Sequence, residues 1–235
     1  MAGWPTEDAS EFIEEETEVD MSIDCTRRAL ALGALGAWLG PVRAANNRPP
    51  RTLLVVGDSL SAEYGLPRGT GWVALLGRRL KEQDLPVNIV NASISGETTS
   101  GGLARLPALM AEHKPDVVVL ELGANDALRG LPLDGTRNNL SQMVGLSQKA
   151  GARVLLVGMM VPPNYGKRYA DDFAALFERV STERKVPLVP FMLKGVADRP
   201  DARDWFQADG THPLPKAHPV ILDVIWPRLQ PLLRG

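Results

Sequence analysis

Apolar residues along this chain fall into two kinds of run, and the two kinds alternate. Short β-branched runs occupy 52–57 (TLLVVG), 87–91 (VNIVN), 117–122 (VVVLEL), 153–158 (RVLLVG) and 187–190 (PLVP). They are apolar at nearly every position, the pattern of strands covered on both faces in a parallel sheet. Between them, 72–83, 102–112, 136–150 and 169–185 space their apolar residues by three or four, as Val73, Leu76 and Leu80 do. That period predicts amphipathic helices. A last helix is expected over 216–229. Five strands alternating with five helices predict one α/β domain over 46–235, doubly wound in three α/β/α layers, with a five-stranded parallel sheet.

The segment ahead of the first strand breaks this rhythm. Residues 1–20 hold eight of the 28 acidic residues and none of the 26 basic ones. Such a run of like charge repels itself and buries little, so an acidic leader with no ordered element is expected. Residues 21–45 then read as a secretory signal peptide: Arg27 and Arg28, an apolar stretch from Ala29 to Leu39, and Val42-Arg43-Ala44 as a small-residue exit with cleavage near Ala44. The apolar stretch is too short for a stable membrane span, which takes about 20 residues. The paired arginines fit a general or a twin-arginine export signal, and either gives a periplasmic or secreted protein.

The formal net charge of −2 is therefore an average of unlike pieces. Without the leader the chain carries a surplus of six positive charges, too thinly spread to form a nucleic-acid-binding face. Cys25 is the only cysteine, which excludes an internal disulfide framework and a zinc–thiolate site. There is no Gly-rich phosphate fingerprint, so a nucleotide-binding module is disfavoured.

In doubly wound sheets ligands bind beyond the carboxyl ends of the strands. The segments there read GDSLS (57–61), ASISGETTS (92–100), GANDALRG (123–130) and MMVPPNYGKRY (159–169), with DGTHP (209–213) late in the chain. Of the three histidines, His212 follows Asp209 by three residues, a spacing at which a carboxylate can reach an imidazole and fix its tautomer. His113, at a helix end, suits the helix dipole; His218 reads as structural or surface. Ser59, in a tight turn directly after the first strand, is the nucleophile candidate, its own amide expected at a helix N-terminus. Gly96 offers an unobstructed backbone amide and Asn125 a neutral side-chain donor. With the Ser59 amide they make three donors for one oxyanion, each worth roughly 3 kcal/mol of barrier. Asp58 and Asp126 are expected to brace these turns by accepting backbone amides. Leu60, Leu128, Leu131, Met159, Val161 and Tyr165 fit an acyl groove and core packing equally well.

GDSLS, the glycine of SGET, GAND and DGTH resemble the four blocks of the SGNH (GDSL) hydrolases. The longer stretches NASISGETTSGGLARLPALM, VLELGANDALRG and VPPNYGKRY resemble the bacterial secreted acyl-CoA thioesterase I/lysophospholipase (arylesterase) branch, over about 52–233. The resemblance implies a flavodoxin-like sheet, a Ser59–His212–Asp209 triad and an oxyanion hole from Ser59, Gly96 and Asn125. It also implies a mobile loop after Asp126 and serine hydrolysis of acyl esters and thioesters, with carbohydrate O-acetyl esters as the alternative substrate. No cofactor or metal is expected. The expected partners are small-molecule esters or thioesters, without nucleic acid or stable membrane insertion, and the expected state is a monomer or weak homo-oligomer. Glu63, where many relatives carry glycine, departs from the pattern and bears on chain-length preference.

Overall fold

The computed structural model describes residues 49–234; the acidic leader and the signal-peptide pattern lie outside the described residues. Five strands form one parallel sheet: β1 (Arg51–Gly57), β2 (Val87–Asn91), β3 (Val117–Glu121), β4 (Arg153–Val157) and β5 (Leu188–Val189), in the order β2-β1-β3-β4-β5. The helices are α1 (Trp72–Glu82), α2 (Thr99–His113), α3 (Ala124–Leu128), α4 (Leu133–Lys149), α5 (Lys167–Arg184) and α6 (His218–Arg234). This is the α/β class expected. Chain direction reverses between the β1–β2 and β2–β3 crossovers, and right-handed crossovers then place α1 and α2 on opposite faces. α1 packs with α6, while α2, α4 and α5 pack in series.

The apolar runs bury as their pattern dictates. Leu53–Val56 and Val117–Leu120 have no exposed surface, so the two central strands are covered above and below. β2 lies at the sheet edge, and its Asn88 and Asn91 face solvent, so two-sided cover fails there. β5 is shorter than its sequence suggests because only Leu188 and Val189 pair with β4. α2 and α4 each begin three residues earlier than apolar spacing indicates. Thr98 caps α2, its side chain accepting the Gly101 N–H.

α1 lacks a side-chain cap of its own, and His218 supplies one from α6: its Nδ1 accepts the Trp72 N–H at 3.1 Å. Burial holds the His218 imidazole below its ordinary pKa, which keeps that nitrogen an acceptor. His218 is thus structural. No described helix is long and apolar enough to cross a membrane.

The order reversal puts the switch point between β1 and β3, where such folds bind ligands. The segments leaving β1, β2 and β3 carry Ser59, Gly96 and Asn125.

Candidate active site

Ser59 sits on a turn that the chain builds from Asp58. The Asp58 carbonyl accepts the N–H of Ser61 at 3.3 Å and of Ala62 at 3.0 Å, while its Oδ1 accepts the Leu60 N–H at 3.0 Å. The turn has helical sense but no helix follows, contrary to the sequence expectation, and the first helix starts only at Trp72. Glu63, at φ 58°, and Gly65, at φ 68°, reverse the backbone before a second turn can form. A left-handed conformation is costly for glutamate and free for glycine. Here the Glu63 carboxylate offsets the cost by accepting the N–H of Gly69 at 3.0 Å and of Gly71 at 2.7 Å, closing the 63–71 loop.

The catalytic base candidate approaches from the other end of the chain. His212 Nε2 lies 2.9 Å from Ser59 Oγ, and His212 Nδ1 lies 2.7 Å from Asp209 Oδ2. The remaining Asp209 oxygen, Oδ1, accepts the N–H of His212 at 3.0 Å and of Thr211 at 2.9 Å. These backbone donors, His212 first, hold the Asp209 carboxyl down at about 2, so it is an anion at neutral pH. The loop is pinned at its base, where Gln207 N–H donates to the His212 carbonyl at 2.7 Å. Tyr64 packs its ring against the imidazole, centroids 4.4 Å apart, a contact that motif spacing did not reveal.

Three N–H groups are the oxyanion-donor candidates: those of Ser59, Gly96 and the Asn125 side chain. Asn125, on α3, gives one Nδ2 proton to Asp58 Oδ2 at 3.0 Å, which fixes the amide plane and leaves a second proton. Gly96 stands at φ 78°, the left-handed position of a turn closed by Glu97 N–H on the Ile94 carbonyl at 3.1 Å. Neither the Ser59 nor the Gly96 N–H finds an acceptor among the described residues.

Buried acids tie these segments together. Asp126 accepts the Thr99 N–H at 2.9 Å, the Thr99 hydroxyl at 2.5 Å and the Thr136 hydroxyl at 3.3 Å, joining α3 to α2 and α4. Asp58 braces its own turn and Asn125 as described. Beneath both, Glu121 is fully buried at the end of β3; its Oε2 accepts the Ser61 hydroxyl at 2.7 Å, and Ser61 in turn accepts the Trp72 indole N–H at 3.1 Å. Burial pushes the Glu121 carboxyl well above its ordinary range, and it raises Asp58 to about 6. Glu121 closes an otherwise apolar strand, and that break in pattern was the available signal for it.

The six groove candidates divide. Leu60, Met159 and Val161 pack into the core, whereas Leu128, Leu131 and Tyr165 are exposed. Tyr64, Ile94 and Met160 are exposed on the same strand-end loops and were not singled out from sequence. His113, half-buried at the end of α2, faces Glu112 and lies outside this constellation. Among the described residues no metal-holding cluster of histidine, cysteine or carboxylate groups occurs.

The family model described as "GDSL-like Lipase/Acylhydrolase family" matches residues 55–220, from β1 through the Asp209–His212 loop into α6. The chain belongs to this family. Esterase TesA of Pseudomonas aeruginosa is 48% identical to this acylhydrolase over 199 residues, which is 85% of this chain and 98% of that protein. The thioesterase 1/protease 1/lysophospholipase L1 of Escherichia coli K12 is 43% identical, over 77% of this chain and 85% of its own. Among solved structures, TesA superposes with a TM-score of 0.74 at 50% identity, over 77% of this chain and 99% of that one. The psychrotrophic esterase EstA from Pseudoalteromonas sp., inhibited by monoethylphosphonate, gives 0.73 at 39% identity, over 79% of this chain and all of that one. Like these relatives, the GDSL-like acylhydrolase described here is a carboxylic ester hydrolase.

Proposed function

We propose that the protein hydrolyses acyl esters and thioesters by two-step acyl transfer on Ser59. His212 takes the Ser59 proton as the hydroxyl attacks the ester carbonyl, and Asp209 holds the imidazole in the productive tautomer and stabilises the imidazolium. The oxyanion is received by the Ser59 and Gly96 amides and the Asn125 side chain. His212 then protonates the leaving alcohol or thiol and activates the water that releases the acid. Asp58 and Asp126 hold the turns that present these groups. The observation that carries this reading is the continuous chain Ser59 Oγ, His212, Asp209, with links of 2.9 and 2.7 Å. No step calls for a metal or cofactor.

Aryl esters, lysophospholipids and acyl-CoA thioesters are the proposed substrate classes. Support comes from the relatives' names, which include an arylesterase of Vibrio mimicus, and from apolar side chains exposed on the strand-end loops. Leu128, Leu131 and Tyr165 would take the acyl chain. Export to the periplasm or beyond, after cleavage near Ala44, is proposed from the order of charged, apolar and small residues over 21–45.

The test is Ser59→Ala with a chromogenic medium-chain ester. Loss of turnover to background, with the fold intact by circular dichroism, is expected; retained turnover overturns the nucleophile assignment. Profiling the wild type on acyl chains of increasing length tests substrate class, and activity confined to acetyl esters would overturn the acyl-chain reading.

A further inference from the structure

Arg129 is exposed, no motif reading gives it a role, and its guanidinium reaches into the oxyanion region. Its Nη2 donates to the Gly96 carbonyl at 2.8 Å, and a Cβ built on Gly96 would lie 3.5 Å from the same nitrogen. Among the described residues no carboxylate pairs with it. The bond grips a peptide already held at its other end. The 96–97 peptide gives its N–H to Ile94, closing the turn, and takes the Arg129 donor on its carbonyl. With both ends fixed, the left-handed φ of Gly96 determines where the Gly96 N–H points, and that N–H has no acceptor of its own.

Arg129 also lies one helical turn beyond Asn125, and its own N–H closes on the Asn125 carbonyl at 3.2 Å. Positions four apart share a helix face. One short segment therefore presents Asn125, tied to Asp58 beside the nucleophile, and Arg129, tied to Gly96. The Asp126–Thr99 bonds secure the buried side of the same junction, while Leu128–Leu131 is exposed, so Arg129 is the tie on the solvent side.

We propose that Arg129 is a positioning residue of the oxyanion hole, holding the Gly96 amide in register with Asn125 through the Gly96 carbonyl. This rests on the serine-hydrolase reading above. A charge-assisted hydrogen bond is among the stronger tethers, and misplacing a catalytic group by about 1 Å costs about a hundredfold. Because the bond acts on a transition-state donor, its loss lowers kcat and leaves KM little changed.

The test compares Arg129→Ala, Arg129→Gln and Arg129→Lys on a short, uncharged chromogenic ester. Affinity for an alkyl boronic acid, whose serine adduct mimics the tetrahedral oxyanion, is measured alongside. Arg129→Ala is expected to lower kcat about ten- to a hundredfold and to weaken boronate binding by a similar factor, with KM within about twofold and the thermal midpoint unchanged. Arg129→Lys, which keeps a charged donor, restores much of the loss. An unchanged kcat overturns the proposal. So does a loss confined to KM or to substrates with an anionic headgroup, which would make Arg129 a headgroup contact. Stoichiometric labelling of wild-type Ser59 by an alkyl phosphonate keeps the two ideas separable: if labelling fails, the serine mechanism falls; if it succeeds and kcat is unmoved, only the Arg129 proposal falls.

Discussion

Asparagine at Asp209 is close to isosteric with the native residue, yet the structure predicts it to be among the most damaging changes at the site. Oδ1 accepts two backbone N–H groups, from Thr211 and His212, so this position must remain an oxygen in Asp209→Asn. The new NH2 is then forced toward His212 Nδ1, where Asp209 Oδ2 stood at 2.7 Å. It donates to Nδ1 and drives the proton to Nε2, the atom 2.9 Å from Ser59 Oγ that has to be free to accept one. Loss of charge alone sets a lower bound. Unit charges about 4 Å apart attract by about 4 kcal/mol at an effective dielectric near 20. The Asp209 side chain is 41% exposed, and screening lowers this to about 1–2 kcal/mol, or roughly five- to thirtyfold in rate. The wrong tautomer adds to that, giving a total of about 10³ to 10⁴ in kcat, the size seen for asparagine in the serine-protease triad. Asp209→Ala loses the charge without imposing the tautomer, so asparagine should be at least as impaired as alanine. Steady-state kinetics on a chromogenic ester, with boronate affinity as an independent reading of the oxyanion site, decide the matter. An Asp209→Asn variant within tenfold of wild type, beside an inactive Asp209→Ala, would refute the tautomer argument.

Three further outcomes follow from the buried acids and from Tyr64. Glu121 binds its proton more tightly folded than unfolded, so its contribution to stability is full at low pH and is lost as pH rises through the raised folded value; Asp58 behaves likewise between about 4 and its folded value of about 6. Glu121→Gln, an isostere of the neutral acid, should match wild type in denaturant melts below the ordinary glutamate value of 4.5 and lose less stability as pH rises above it; parallel pH profiles would contradict this. Asp126→Ala strands the Thr99 N–H and hydroxyl in the core and should destabilise by about 3 kcal/mol, read as a lower denaturant midpoint, with Asp126→Asn affected less. Tyr64→Ala removes an aromatic contact worth about 0.5–1.5 kcal/mol from the His212 ring and should lower kcat two- to tenfold with little change in stability, while Tyr64→Phe stays near wild type.

The sheet was legible from sequence because its central strands are buried on both faces, and Leu53–Val56 and Val117–Leu120 had to be apolar at every position. Ser59, Asn125, Asp209 and His212 could be picked out as candidates because each is a polar residue at a strand end or in a late turn, where this fold places chemistry, and Gly96 because its amide is unobstructed in such a segment. What escaped was set by tertiary contact. α3 is five residues long, too short for a 3.6-residue period to register. The reversal after Ser59 depends on where Glu63 finds its amide partners, and its three-dimensional neighbours Gly69 and Gly71 are invisible to local pattern. Leu60, Met159 and Val161 belong to the core because the chain folds back over them, a fact no spacing rule contains. Arg129 carried no signal at all, since its partner is a carbonyl 33 residues away.

Ser59 and His212 stand 153 residues apart in the chain, and nearly the whole sheet must be assembled before they touch. During synthesis the proposed nucleophile emerges early and the proposed base late, so on that mechanism the growing chain is chemically silent until the domain is almost complete. Nicked or truncated molecules that lack the 209–212 turn are silent for the same reason. Regain of ester hydrolysis during refolding should therefore lag behind regain of helical signal, making turnover a reporter of finished molecules. A cell that builds this hydrolase on one side of a membrane and uses it on the other would meet its activity only after folding.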